Sequence, residues 1–186
     1  MNLNKKHTQK NLISNLNNIN VERLSTNEIN FFKNKKILIT GVSGIIGINL
    51  LFFFNKLNIE RKTSIDIDGT YNALLFNFVK NYFKKNKKVN FIKIDLTKKK
   101  IDKNKKYNLI FHCAGYAQPS KFLKYKGSTY KLNSNVIIDL SNNLKKNAKF
   151  IYLSTTEIYS GNERKCTEES TGLTKSTHTR SCYIDS

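Results

Sequence analysis

The sequence contains little proline, few acidic residues and no cysteine pair, and each shortage excludes a class of protein. A single proline among 186 residues argues against Pro-rich linkers. The cysteines Cys113, Cys166 and Cys182 are odd in number, and none belongs to a Cys-x-x-Cys pair. We therefore expect no disulfide scaffold and no metal site. We also expect a cytoplasmic protein, because free thiols are typical of a reducing compartment.

Long hydrophobic runs are also absent. The most apolar stretch, residues 45–54, is interrupted by Gly47 and Asn49, and it is far shorter than the roughly 20 residues that cross a bilayer. The start of the sequence, residues 1–10, lacks the apolar core of a signal peptide. The sequence therefore predicts that the protein has no membrane partner.

The charge is strongly positive, with 33 Lys and Arg residues against 13 Asp and Glu residues and a formal net charge of +20. Such a charge can indicate a nucleic-acid partner. However, the basic residues are 29 Lys and only 4 Arg, and they are spread along the chain together with 26 Asn. Proteins that read bases rely on clustered Arg side chains. We interpret the charge as solvated loop charge and predict no nucleic-acid partner, while basic nucleic-acid binding stays an open alternative.

Alternating strand and helix patterns predict an α/β fold. Strands are expected at residues 35–40, 63–67, 89–94, 107–111 and 150–154, and helices at residues 45–57, 73–83 and 129–146. This alternation predicts a Rossmann-like, doubly wound parallel sheet. We expect residues 35–186 to form this domain. Residues 1–34 are expected to form a polar N-terminal extension with one or two short helices outside the main core.

A glycine-rich turn follows the first predicted strand and precedes the first helix. Gly41 permits the tight turn, Gly44 lets a pyrophosphate approach the backbone, and Gly47 lets the helix pack closely. The N–H groups at the start of that helix would then face the phosphates. The turn therefore predicts a dinucleotide site. Its cofactor-binding residues would be Gly41, Ser43, Gly44, Ile45, Ile46 and Gly47.

An acidic residue about 20 positions later is expected to hold the adenosine ribose. Asp66 and Asp68 are the two candidates, and we favour Asp66 because we place it at the end of the second strand. A carboxylate there would repel the additional phosphate of NADP. This residue therefore predicts a preference for NAD.

From about residue 35 to residue 186 the sequence resembles the extended short-chain dehydrogenase/reductase family, the NAD-dependent nucleotide-sugar epimerases and dehydratases. The glycine spacing at residues 41–47 and the segments 154–159 and 180–186 carry the resemblance. It implies that NAD is the cofactor and that a nucleotide sugar is the substrate. It also implies that Asp95 and Leu96 lie around the adenine and that Asn133 lies near the nicotinamide ribose. The further cofactor-binding residues that it implies are Cys113, Ala114 and Gly115.

The same resemblance implies three catalytic residues, namely Thr155, Glu157 and Tyr183. Oxidation of a sugar hydroxyl needs a base, and a tyrosine with a pKa of about 10 needs nearby positive charge to act as one at neutral pH. Thr155 would hold the same hydroxyl, and Glu157 would be an auxiliary group. The resulting 4-keto sugar can epimerise, lose water or lose carbon dioxide. Thr156 stands where the dehydratase branch has Asp, which favours an epimerase or a UDP-glucuronate decarboxylase.

The lysine of the family's Tyr-x-x-x-Lys motif would follow Ser186, where the sequence ends. We therefore expect a fragment of a longer protein that lacks the C-terminal substrate part and has little or no turnover. The intact parent could be a homodimer. A catalytically inactive NAD-binding regulatory or scaffold protein of the same fold is the alternative function. His112 is expected to be a packed histidine at a strand end.

Overall fold

Five parallel strands form one sheet at the centre of the molecule. They are β1 (Lys36–Thr40), β2 (Asp66–Tyr71), β3 (Val89–Lys93), β4 (Tyr107–His112) and β5 (Leu144–Tyr152). Their order across the sheet is β3–β2–β1–β4–β5. The computed structural model describes residues 14–16, 18–160, 165–172, 175 and 177–186. The strand order and the parallel pairing confirm the predicted Rossmann-like sheet, whose winding reverses between β1 and β4.

Short helices and one long helix connect the strands. They are α1 (Thr26–Phe32), α2 (Ile45–Arg61), α3 (Asn77–Phe83), α4 (Pro119–Lys124), α5 (Lys126–Asn133), α6 (Asn135–Ser141) and α7 (Ser181–Ile184), with a 3-10 turn at Thr156–Tyr159. None of the helices in the described part of the chain is long and apolar enough to cross a membrane. The same residues contain no group of three or more His, Cys, Asp or Glu side chains that could hold a metal ion.

Alternate residues of β1 face two separate hydrophobic clusters. Ile37 and Ile39 belong to a large cluster that includes α2 and α3, whereas Leu38 belongs to a second cluster with α5 and α6. A strand that is buried on both faces has a continuous apolar sequence, which is why β1 was predicted within one residue. The carboxyl ends of β1, β2, β3 and β4 meet at one edge of the sheet.

Several elements differ from the prediction, and strand β2 and the last predicted helix differ most. Strand β2 begins three residues later than expected and ends at Tyr71. Its buried polar residues Asp68 and Thr70 interrupt the apolar pattern from which strands are predicted. The helix predicted at residues 129–146 is two helices that meet at Ser134, and from Leu144 onward the chain is part of β5. Pairing with β4 overrides the helical spacing there.

The described part of the N-terminal extension is not outside the main core, which corrects the prediction. Leu16 and Val21 are buried in the same hydrophobic cluster as α2. Helix α1 begins with a capping box between Ser25 and Glu28. Residues 1–13 and residue 17 of the predicted extension lie outside the described residues.

Candidate active site

A cleft of about 650 Å³ lies at the carboxyl edge of the sheet. The loops after β1, β2, β3 and β4 line it, for example with Gly41, Asn72, Asp95 and Ala114. Clefts of roughly 300–1,000 Å³ bind small molecules and cofactors, and in doubly wound sheets they lie where the strand order reverses. Both the size and the position therefore suit a nucleotide cofactor.

The glycine turn has no room for side chains at two of its positions. Gly41 has a positive φ of 70°, and a Cβ there would lie 2.9 Å from the backbone of Ala114. A Cβ on Gly47 would overlap the carbonyl oxygen of Gly41 and lie 2.9 Å from the Cα of Val42. The bare backbone therefore lets the turn lie against both the β4 loop and the start of α2.

Helix α2 begins in this turn and directs its amino end at the cleft. Its N-cap is Gly44, which offers no side chain to the first amides of the helix. Ser43, Gly44 and Ile45 line the cleft. Uncapped amides at the start of a long helix form an anion site, because they are unpaired donors and carry the positive end of the helix dipole. The residues present thus fit the pyrophosphate of a dinucleotide.

A hydrogen-bond relay fixes the loop after β4. The Nε2 atom of His112 lies 2.8 Å from the carbonyl oxygen of Leu132, and its Nδ1 atom lies 2.8 Å from the hydroxyl of Thr40. The Thr40 oxygen also accepts bonds from the backbone N–H groups of Cys113 and Ala114, each at 3.1 Å. Burial lowers the pKa of His112, which agrees with its predicted packed role. No pattern in the sequence predicted that Thr40 joins β1 to this loop.

Cys113 and its neighbours contribute small surfaces to the cleft. Burial raises the pKa of the Cys113 thiol to about 11, so the thiol stays neutral at ordinary pH. Ala114 and Gly115 line the cleft beside it. This loop therefore offers an uncharged surface to a bound ligand.

The acid favoured for the ribose is in the wrong place. Asp66 begins β2 rather than ending it, and it pairs with Lys36 of β1 at the amino side of the sheet. Its carboxylate lies 3.0 Å from the Nζ atom of Lys88. Because Asp66 lies at the opposite end of the strand from the cleft, its predicted contact with the ribose is wrong.

Asp68 is also unsuited to the ribose, because it is buried and its carboxylate is occupied. It accepts hydrogen bonds from the hydroxyl of Tyr107 at 2.7 Å, from Lys105 at 3.1 Å and from Asn90 at 2.8 Å. Burial alone would raise the pKa of Asp68, but these three bonds outweigh burial and the pKa is lowered. The same contact and burial raise the pKa of Tyr107. Asp68 therefore stabilises the fold.

Asp95 and Leu96, predicted around the adenine, do line the cleft. The carboxylate of Asp95 accepts bonds from the hydroxyl of Thr97 at 2.7 Å and from its backbone N–H at 3.0 Å. The side-chain bond is the larger cause of the lowered pKa of Asp95, which therefore stays ionised at neutral pH.

A second, smaller cavity of about 160 Å³ brings together residues from distant parts of the chain. Asn133, Thr155 and Tyr183 line it together with residues 113–117, and those five residues also line the larger cleft. The Tyr183 ring stacks on Phe122 with a centroid distance of 4.4 Å. Thr155 and Tyr183, which the resemblance implies to be catalytic, thus border one space beside the larger cleft.

Glu157 lies apart from this space. Its carboxylate is 2.6 Å from the guanidinium of Arg180, which also lies over the ring of Phe122. The backbone N–H of Glu157 donates to the Thr155 hydroxyl at 3.3 Å, which caps the 3-10 turn. Arg180 is a partner for Glu157 that the sequence did not predict.

Residues 37–186 match the model of the NAD dependent epimerase/dehydratase family. The chain belongs to this family. The chain is also 33% identical over 161 residues to the bifunctional polymyxin resistance protein ArnA of Wigglesworthia glossinidia brevipalpis, a match that covers 79% of this chain and 22% of that protein.

Solved structures of epimerases share the fold. The UDP-glucuronic acid 4-epimerase from Bacillus cereus, solved with NAD, is 18% identical with a TM-score of 0.58, and the match covers 81% of this chain and 48% of that one. The UDP-N-acetylglucosamine 4-epimerase from Methanobrevibacter ruminantium M1, solved with UDP-N-acetylmuramic acid, is 20% identical with a TM-score of 0.60 and coverage of 82% and 47%. The chain spans about half the length of these structures.

The predicted residues of this NAD dependent epimerase/dehydratase family member fall into three groups. Those that line the cleft or the smaller cavity are Gly41, Ser43, Gly44, Ile45, Ile46, Asp95, Leu96, Cys113, Ala114, Gly115, Asn133, Thr155 and Tyr183. Gly47 is buried against the turn itself. Asp66, Asp68 and Glu157 line neither space. Thr70, Tyr71 and Asn72 line the cleft and were not predicted to do so.

Proposed function

We propose that residues 35–186 are the NAD-binding part of a nucleotide-sugar epimerase or decarboxylase, and that residues 1–34 are an N-terminal extension whose buried residues Leu16 and Val21 pack on it. The observation that supports this best is the shared lining of the two spaces. Residues 113–117 border both the cleft beside the glycine turn and the cavity that holds Thr155 and Tyr183. A dinucleotide on the turn would therefore reach the two hydroxyls.

The proposed roles follow from this placement. NAD, when bound, supplies a hydride acceptor for a sugar carbon. The phenolate oxygen of Tyr183 takes the proton of the sugar hydroxyl and becomes a phenol, and the Thr155 hydroxyl holds that same group in place. Asn133, whose Nδ2 atom donates to the Ser186 hydroxyl at 2.9 Å, borders the cavity beside Tyr183. The sugar leaves this step as a 4-keto sugar.

Glu157 takes the auxiliary role, limited by its ion pair. Arg180 holds its carboxylate at 2.6 Å, at the 3-10 turn that begins beside Thr155. The pair holds the carboxylate outside the cavity, and Glu157 contacts the proposed catalytic threonine through its backbone N–H, which donates to the Thr155 hydroxyl at 3.3 Å. Thr156, rather than an acid, precedes Glu157, which favours epimerisation or decarboxylation over dehydration.

Binding of NAD to the glycine turn is tested by a charge change at Gly44. A Cβ there would meet only the carbonyl oxygen of Gly41, at 3.3 Å, so small side chains fit with a minor shift. We expect Gly44→Asp to weaken NAD binding at least about tenfold more than Gly44→Asn in calorimetric titration, because only the former places a negative charge against the pyrophosphate. Equal effects of the two variants, or no binding of NAD by the unaltered chain, would contradict the proposal.

The catalytic pair is tested by hydride transfer within a single turnover. Bound NAD is mixed with candidate nucleotide sugars, and NADH fluorescence is recorded for the unaltered chain, Tyr183→Phe and Thr155→Val. We expect slow transfer that both variants reduce by at least about a hundredfold. If NAD binds but no nucleotide sugar transfers a hydride to it, the alternative function is favoured, which is an NAD-binding regulatory or scaffold protein.

A further inference from the structure

The end of β2 lies level with the glycine turn. Ile39 of β1 pairs with Gly69 of β2, so the turn that follows β1 lies beside the last residues of β2. The backbone N–H of Val42 donates to the carbonyl oxygen of Thr70 at 2.9 Å, so the turn is hydrogen-bonded directly to the end of β2. Tyr71, which follows Thr70, is therefore the last residue of β2 at the level of the turn. In dinucleotide folds an acid at this place holds the 2′-hydroxyl of the adenosine ribose.

No carboxylate occupies that place. Tyr71 ends β2, Asn72 follows it, and both line the cleft. Asp66 and Asp68 lie farther back along the strand and are held by Lys88 and by the buried cluster around Tyr107. The feature that excludes a 2′-phosphate by charge repulsion in NAD-specific proteins is thus missing from the described end of β2.

The acid nearest to this end stays ionised, but its charge is partly balanced by its partners. Asp95 follows β3, accepts two hydrogen bonds from Thr97 and one from the Asn72 side chain, and lies 3.8 Å from the Nζ atom of Lys98. Lys80 adds a positive charge, because its Nζ atom lies 5.5 Å from the centre of the Tyr71 ring. Two ammonium groups and one carboxylate therefore surround the end of β2, which favours an additional phosphate.

We propose that this chain accepts a 2′-phosphate on the adenosine ribose and binds NADP as well as it binds NAD. The inference rests on the proposed dinucleotide site and concerns only its ribose end. The neutral pair Tyr71 and Asn72 is the specificity determinant, and the exclusion of NADP that Asp66 was expected to cause does not occur.

Matched ligands test the ribose end by calorimetric titration. NAD is compared with NADP, and ADP with 2′,5′-ADP, which carries the same additional phosphate without the nicotinamide half. We expect dissociation constants within about threefold in each pair. NADP or 2′,5′-ADP binding more than about tenfold more weakly than its partner would overturn the inference while leaving the proposed function intact. Binding of none of the four would contradict the proposed function and this inference with it.

Two acidic variants and one neutral control test whether the effect arises at the end of β2. Tyr71→Asp introduces a carboxylate there and should raise the dissociation constant of NADP relative to that of NAD at least about tenfold. Tyr71→Asn introduces a side chain of the same size as Asp but without its charge, and it should leave this ratio unchanged. Asn72→Asp provides a second test in case substitution of the partly buried Tyr71 unfolds the protein, because Asn72 is exposed. We expect the same loss of NADP binding from Asn72→Asp. An unchanged ratio in both acidic variants would overturn the assignment.

Discussion

The polar side chains at the two ends of strand β2 have opposite environments. In its first half, Asp66 pairs with Lys88, and Asp68 is buried among Tyr107, Lys105 and Asn90. At its carboxyl end, Tyr71 and Asn72 border an open cleft beside a turn without side chains. Charges in the first half are satisfied within the protein, whereas the carboxyl edge leaves backbone donors for a ligand.

The position of an acid along a strand therefore decides whether it binds a ligand or stabilises the fold. A carboxylate about 20 residues after a glycine turn holds a ribose only where the strand reaches the carboxyl edge. Asp68 is two residues before Thr70, whose backbone contacts the turn, and that displacement places it in the interior. Variants at the two ends should therefore separate binding from stability.

The largest effect is expected at the carboxyl edge, from Gly47→Val. A side chain there overlaps the backbone of Gly41, and a backbone atom cannot turn away as a flexible side chain does. We expect a loss of about 3 kcal/mol or more of unfolding free energy, together with loss of NAD binding. Urea denaturation measures the first and calorimetry the second.

Gly127→Val is the matched control for this change. Gly127 lies in α5, and a Cβ there would meet no atom within 4 Å. The unfolding free energy should change by less than about 0.5 kcal/mol. A similar loss for the two variants would refute the steric role of Gly47.

The next effect is expected in the first half of β2, where stability and binding should separate. Asp68→Asn leaves Lys105 without its ion partner and weakens the bond from the buried Tyr107, so we expect a loss of about 3 kcal/mol. Asp66→Asn removes an exposed pair and should cost less than about 1 kcal/mol. The NAD dissociation constant, measured on folded protein, should be unchanged in both. Weakened NAD binding by Asp66→Asn would restore the ribose role that the structure contradicts.

The sequence predicts the parts of the fold that depend on local sterics. The glycine turn at residues 41–47 and the apolar run of β1 are visible because a tight turn needs glycine and a strand covered on both faces needs apolar residues. The position of β2 was missed because Asp68 and Thr70 are buried by partners far away in the chain. Tyr107, for example, is 39 residues from Asp68.

In the candidate site, too, local features could be predicted from the sequence and long-range contacts could not. The predicted residues of the turn and of the β4 loop line the cleft, since a strand end and a short loop fix their place. Thr155 and Tyr183 are 28 residues apart, and only the family resemblance, not their spacing, pointed to a common cavity. The ion pair of Glu157 with Arg180 depends on the same long-range packing and could not be predicted.

The smallest effect is expected from pH, through the hydrogen-bond relay of His112 that joins β1, the loop after β4 and α5. Because the Leu132 carbonyl can only accept, Nε2 of His112 carries the proton and Nδ1 accepts from Thr40. Protonation of Nδ1 would turn that bond around and take a lone pair that Thr40 now offers to Cys113 or Ala114. The loop that borders both cavities would lose one anchor.

The lowered pKa of His112 decides whether stability rises or falls with pH. Between this pKa and the ordinary value of 6.5, the unfolded chain binds more protons than the folded one, so stability rises with pH across that window. The urea midpoint should therefore fall as pH decreases from about 7.5 to about 5, with a smaller weakening of NAD binding. His112→Gln should lower the midpoint at all pH values and flatten its slope. If the urea midpoint of His112→Gln changes with pH as steeply as that of the unaltered chain, groups other than His112 cause the pH dependence. Asp68 is not one of them, because its lowered pKa affects stability only below about pH 4.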